Sequence, residues 1–129
     1  MRVLALDHGE VRCGCALSDP TGTLATPLEA VERPDTPLGL QALVRLIDER
    51  EVEHVVVGLP LTLAGEEGEQ AARARRFAER LAAEVVLPVE LHDERLTTRL
   101  AERGGTGDPD SRAAAHLLES WLTSRSTSL

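Results

Sequence analysis

The sequence predicts an α/β protein: one mixed sheet of five strands, flanked by helices. Three observations predict it. Three strand-like segments follow one another with only turns between them. After them, strand-like and helix-like segments alternate. The chain has 129 residues, of which 42% are apolar, enough for one domain with a core and too short for a two-domain kinase or a multidomain helicase.

Residues 2–6 are a short apolar run ending at Asp7 and read as a buried strand. Residues 8–12 form a turn, and 13–18 return as the second strand of an antiparallel hairpin. Asp19-Pro20-Thr21-Gly22 has turn composition. Residues 23–32 alternate as a third strand, which Pro27 assigns to an edge or a bulge. Thr36 is an N-cap, with Pro37 at the first helical position. Leu40, Leu43, Val44 and Ile47 then mark an amphipathic helix over 37–50. Residues 54–59 are nearly all apolar and β-branched, as suits a central strand covered on both faces.

A loop over 60–68 leads into a helix over 69–84. Its apolar stripe is Ala71, Ala74, Phe77, Ala78 and Leu81, and Arg73, Arg76 and Arg80 lie largely off it. Residues 87–92 are the fifth strand, 96–103 a short helix, and the glycines of 104–107 a break. A last helix spans 108–122, with Asp108 as N-cap before Pro109. The domain is expected to span 1–123, with 124–129 a frayed polar tail. The first strand is expected to be central, antiparallel to the second and parallel to the fourth. Ligands then belong at the carboxyl ends of the central parallel strands.

Charge and composition exclude several classes. Fourteen basic residues, all arginine, stand against 22 acidic ones, a net charge of −8. That argues against indiscriminate coating of nucleic acid, whose affinity comes from phosphate neutralisation. It leaves a nuclease open, because a carboxylate site for divalent metal is itself acidic before the metal binds. Phe77 and Trp121 are the only aromatics, too few for a base-stacking platform. Cys13 and Cys15 share one strand face and read as reduced core residues, since two cysteines alone make no zinc site. No apolar run approaches the roughly 20 residues that span a bilayer, and Asp7 interrupts the first one, so a cytoplasmic protein without a membrane partner is expected.

Chemistry points to carboxylates at element ends. Asp7, alone, is equally a metal ligand or a turn residue bonding the amides of Gly9 and Glu10. Asp93 and Glu94 close the fifth strand, and adjacent residues face opposite sides, so one of the two can reach a site beside Asp7. Asp110 stands in the first turn of the last helix, where the dipole favours it without any function. Together these are three oxygen-only positions that the topology can bring to one sheet edge. Hard oxygen ligands suit Mg²⁺ or Mn²⁺, and two ions about 3.5–4 Å apart can clamp both oxygens of a phosphodiester displacement. His8 and His92 flank the region, but each reads as a surface or packed histidine. Gly58 and the loop after it could receive a phosphate at a helix N-terminus, against the charge of Glu66 and Glu67. Arg12, Arg95 and Arg99 could fork onto phosphates.

From Val3 to Leu122 the chain resembles the YqgF/RuvX family, described both as Holliday junction resolvases and as nucleases of the 5′ end of pre-16S rRNA. The resemblance rests on four stretches in order: ALDHGEVRCGCALSDP, VVVGLPLTLAGEEG, HDERLTT and DSRAAAHLLESWL. It implies a ribonuclease H-like fold and metal-dependent phosphodiester hydrolysis. It implies Asp7, Asp93, Glu94 and Asp110 as catalytic acids, with Asp7, Glu94 and Asp110 on the metal. Pre-rRNA is the expected partner, structured DNA the alternative, with the chain a monomer or homodimer. The family usually has an aromatic at the place of His8, and a longer, lysine-rich stretch at that of 104–109. That loss of basic charge motivates a third expectation, a catalytically silent RNA-binding factor of ribosome assembly.

Overall fold

The computed structural model describes residues 1–94 and 109–127, with the backbone alone for 109–110 and 126–127. Arg95, Arg99, Asp108, the helix expected over 96–103 and the glycines of 104–107 lie outside the described residues.

The described elements are β1 (Val3–Asp7), β2 (Arg12–Ser18), β3 (Ala25–Glu32), α1 (Pro37–Glu49), β4 (His54–Leu59), α2 (Glu69–Glu84), β5 (Val89–Asp93) and α3 (Pro109–Thr127). The five strands form one sheet in the order β3-β2-β1-β4-β5. β1 pairs antiparallel with β2 and parallel with β4, as the sequence predicts. β3 is an edge strand, so the missing N–H of Pro27, opposite Ala16, costs no inner ladder bond.

The two sheet faces are covered by different helices. Leu4, Leu6, Cys13, Cys15, Val55 and Val57 pack with Leu43 and Ile47 of α1 and Phe77 and Leu81 of α2. Val3, Ala5, Ala16 and Val56 pack with Ala114, Leu117, Leu118 and Trp121 of α3. The strands β1 and β4 thus send alternate residues into two cores. Both thiols are free and fully buried, and the hydrogen bond between them, with burial, pushes the Cys13 pKa up. Among the described residues no helix is long and apolar enough to cross a membrane.

Element ends follow local chemistry. Thr36 caps α1 by accepting from the Gly39 amide at 3.1 Å, and Pro37 opens the helix. β3 begins at Ala25 rather than the expected 23, because Asp19 Oδ1 takes the amides of Thr23 and Leu24 at 2.8 and 3.0 Å. Those bonds and one from Thr21 hold the Asp19 carboxyl down at about 2. β5 starts two positions later than the pattern suggested, after Pro88, and includes Asp93. α3 continues past Leu122 to Thr127.

Ser18 is the buried polar residue that ties the sheet's start together. Its hydroxyl accepts from the Val3 amide at 2.8 Å and donates to the Met1 carbonyl at 3.3 Å. Ser18→Ala leaves a buried N–H unpaired. It is expected to cost about 1–3 kcal/mol, read as a lower urea midpoint with an unchanged slope.

Candidate active site

Three strands carry residues to one face of the sheet at its carboxyl edge. Along β1, Val3 and Ala5 enter the core under α3, and Asp7 continues that series. β4 runs beside it with Leu6 opposite Val57, so Gly58 comes next to Asp7. Val56 also faces α3, and Gly58 shares its side. In β5, Glu90 and His92 reach α3: Glu90 Oε1 accepts from Trp121 Nε1 at 2.9 Å, and His92 Nε2 meets Ser120 Oγ at 3.1 Å. Glu94 follows in the same alternation, its amide donating to the Leu59 carbonyl at 3.2 Å. Asp93 alternates to the opposite face.

The Glu94 side chain lies directly over Gly58. A Cβ at that glycine would stand 1.9 Å from Glu94 Oε1 and 2.5 Å from its carboxyl carbon. Only a residue without a side chain leaves room for Glu94 to reach across β4 to Asp7. The two carboxyls share a hydrogen bond. Burial first, then that bond and the charges of Asp7 and Asp93, push the Glu94 pKa up to about 9. Of the adjacent pair, Glu94 is therefore the residue that meets Asp7.

α3 is anchored at the same edge. Ser111 is fully buried, and its hydroxyl accepts from the Cys15 amide at 3.3 Å. Cys15 and Gly14 stand opposite Leu6 and Asp7 in the hairpin. The first turn of α3, with Asp110 in its backbone, is thereby fixed beside the end of β1; the Asp110 side chain lies outside the described atoms.

His8, His54 and His92 are engaged elsewhere. The His8 side chain is almost fully buried, with Nε2 at 2.9–3.0 Å from both Asp35 oxygens and its ring 4.8 Å from Phe77. His54 bonds Glu90 and stacks on Trp121. Burial lowers the His92 pKa. Arg12 opens β2 and pairs with Glu32 at 3.5 Å. Two residues escaped the sequence reading: Ser111, which gave no signal, and Gly58 as clearance for Glu94. A glycine inside a run of valines does signal close approach.

The pair has the chemistry of a cation site. It is oxygen-only, half-buried, and holds a proton at neutral pH because burial, the hydrogen bond to Asp7 and the charges of Asp7 and Asp93 all disfavour ionising Glu94. A hard divalent cation fits that donor set. Among the described residues no group of three or more metal-ligating side chains is gathered.

The pair also sets a pH dependence. Without a cation, the folded chain holds the Glu94 proton from the usual value of 4.5 up to about 9, and the unfolded chain does not. The contribution of this group to stability is therefore fully present below the lower value and is lost as pH rises through this window. In EDTA the melting temperature should decline across it, and Glu94→Gln should remove that decline. An unchanged slope in the variant would assign the titration to another group.

Comparison with known proteins agrees with this architecture. A family model described as "RuvX: Holliday junction resolvase" matches residues 1–124. A Rhodococcus erythropolis protein named "Putative pre-16S rRNA nuclease" is 43% identical over 141 residues, covering 97% of this chain and 79% of its own. One of the same name from Crocosphaera subtropica is 41% identical over 136 residues, covering 98% and 95%. Among solved structures, Thermus thermophilus RuvC with a Holliday junction superposes with a TM-score of 0.66 at 15% identity, covering 98% of this chain and 96% of its own. The fowlpox virus Holliday junction resolvase gives 0.57 at 12%, covering 96% and 99%. At these identities the likeness is one of fold: the sheet is the ribonuclease H-like one.

Proposed function

The chain belongs to the RuvX (YqgF) family, and on that premise we propose that it hydrolyses phosphodiester bonds in RNA, at the 5′ end of pre-16S rRNA. The observation that carries the reading is the Asp7–Glu94 carboxyl pair over Gly58. Asp7 and Glu94 would hold Mg²⁺ or Mn²⁺, with Asp110 the further ligand that the family resemblance implies. When bound, such ions supply Lewis-acid polarisation of the phosphodiester and a route to hydroxide at neutral pH. Asp7 presents a carboxylate fixed by the central strand. Glu94 would release its proton to solvent on holding a cation, and Gly58 leaves the room in which it reaches Asp7. Asp93, next to Glu94, adds negative charge that favours cation loading. Arg12, half-exposed beside Glu32, and Arg95 and Arg99 are the phosphate contacts of this reading. Pre-rRNA places the work in the cytoplasm.

A second reading, cleavage of four-way DNA junctions, is favoured by the family model's description. Symmetric cutting of a junction requires a two-fold dimer. The test is cleavage of a labelled single-stranded RNA spanning the precursor end and of a synthetic four-way junction, each with Mg²⁺, Mn²⁺ or EDTA. Metal-dependent cutting of the RNA is expected. Paired cuts in the junction by a dimer would move the substrate to DNA. RNA bound but never cut would make the chain a silent assembly factor.

A further inference from the structure

A second charged feature lies on the opposite face of the sheet, under α2. Arg73, Arg76 and Arg80 stand three and four residues apart, on one side of that helix. With Glu10 and Asp35 they line a cavity of about 260 Å³. The three guanidiniums stand with three carboxylates, because Arg73 also pairs with Glu69, and the pairing falls on Arg73 and Arg80. Two of the three are held in position. Arg73 bonds Glu69 at 2.8 Å and Glu10 at 3.4 Å, and Arg80 bonds Asp35 at 3.1 Å. Arg76 is exposed and has no ion-pair partner among the described residues.

The cavity and the carboxyl pair adjoin the same end of β1. Glu10 lies in the loop that leaves Asp7, and Asp35 grips His8, the residue after Asp7. A strand whose scissile group sits at Asp7 can therefore turn around the end of β1 and lay a neighbouring phosphate in this cavity. Arginine suits such an anion, because its planar fork matches two phosphate oxygens.

We propose that the Arg73–Arg76–Arg80 cavity binds a backbone phosphate of the nucleic-acid strand flanking the scissile bond, with Arg76 as its main contact. The proposal rests on the nucleic-acid reading of the carboxyl pair. It adds a binding site that sequence spacing did not single out, since these arginines read there only as lying off the apolar stripe of the helix.

The test measures binding of a labelled single-stranded RNA in EDTA, by anisotropy over a salt series. Wild type is compared with Arg76→Ala and with Arg45→Ala, which removes the same charge from α1. Arg76→Ala should weaken binding roughly tenfold, as one charged hydrogen-bonding contact is lost. It should also lower the magnitude of the log–log salt slope by about 0.7, the loss of one single-strand phosphate contact. Arg45→Ala should leave that slope unchanged. Equal behaviour of the two variants overturns the cavity, as does a wild type that binds no RNA. Cleavage of the same RNA with Mn²⁺ reads the nuclease proposal separately. Binding that depends on Arg76 without any cutting keeps the cavity and overturns hydrolysis. Cutting with no effect of Arg76→Ala on binding does the reverse.

Discussion

Asp7→Asn is expected to abolish metal-dependent cleavage while leaving the fold intact. Losing an outer-shell partner of a metal ligand typically costs 10–100-fold, so losing a ligand itself should cost at least about 100-fold. Asparagine keeps the shape of the side chain at the end of β1, and the two cores on either side of that strand do not include it. The substitution also removes the charge and the carboxylate acceptor that raise the Glu94 pKa. The cation-free variant should therefore melt at least as high as wild type above neutral pH, with the same circular dichroism spectrum. Full activity in a clean preparation would remove Asp7 from the chemistry.

Gly58→Ala is expected to be nearly as damaging to activity with little damage to the fold. The added Cβ would meet Oε1, the carboxyl carbon and Cγ of Glu94 at 1.9, 2.5 and 2.8 Å. All three atoms belong to one flexible side chain, so the strand can stay where it is and Glu94 must leave. Alanine in a strand interior is otherwise no worse than glycine, and often better. The expected result is a fall in kcat/KM of at least about tenfold, comparable with disturbing the outer shell of a metal site. The melting temperature should stay near that of wild type. Wild-type cleavage by this variant would show that Glu94 is not required above Gly58.

Much of this architecture is legible in the residues. Pro27 predicts an edge strand, Thr36-Pro37 a helix start, and the valines of β4 a strand covered on both faces, as observed. Element ends were harder, because side chains decide them: Asp19 captures the amides of Thr23 and Leu24, and delays β3. At the carboxylate site, alternation along a strand says that Asp93 and Glu94 face opposite ways, but not which way. That follows from register, with His92 beside Gly58 and Leu91 beside Val57. Register between strands joined through a helix is a long-range property, and no local pattern carries it. The same holds for the α2 arginines, whose partners Glu10 and Asp35 come from two distant loops.

Whether Asp7 and Glu94 form one cation site is read by calorimetric titration of the purified protein with Mn²⁺ at pH 7, in two buffers of different ionisation enthalpy. Wild type should bind with release of about one proton, since ligands must deprotonate to bind. Glu94→Gln should release none, and in Asp7→Asn binding should be lost or greatly weakened. Mn²⁺ binding that is identical in wild type and both variants would contradict a shared site.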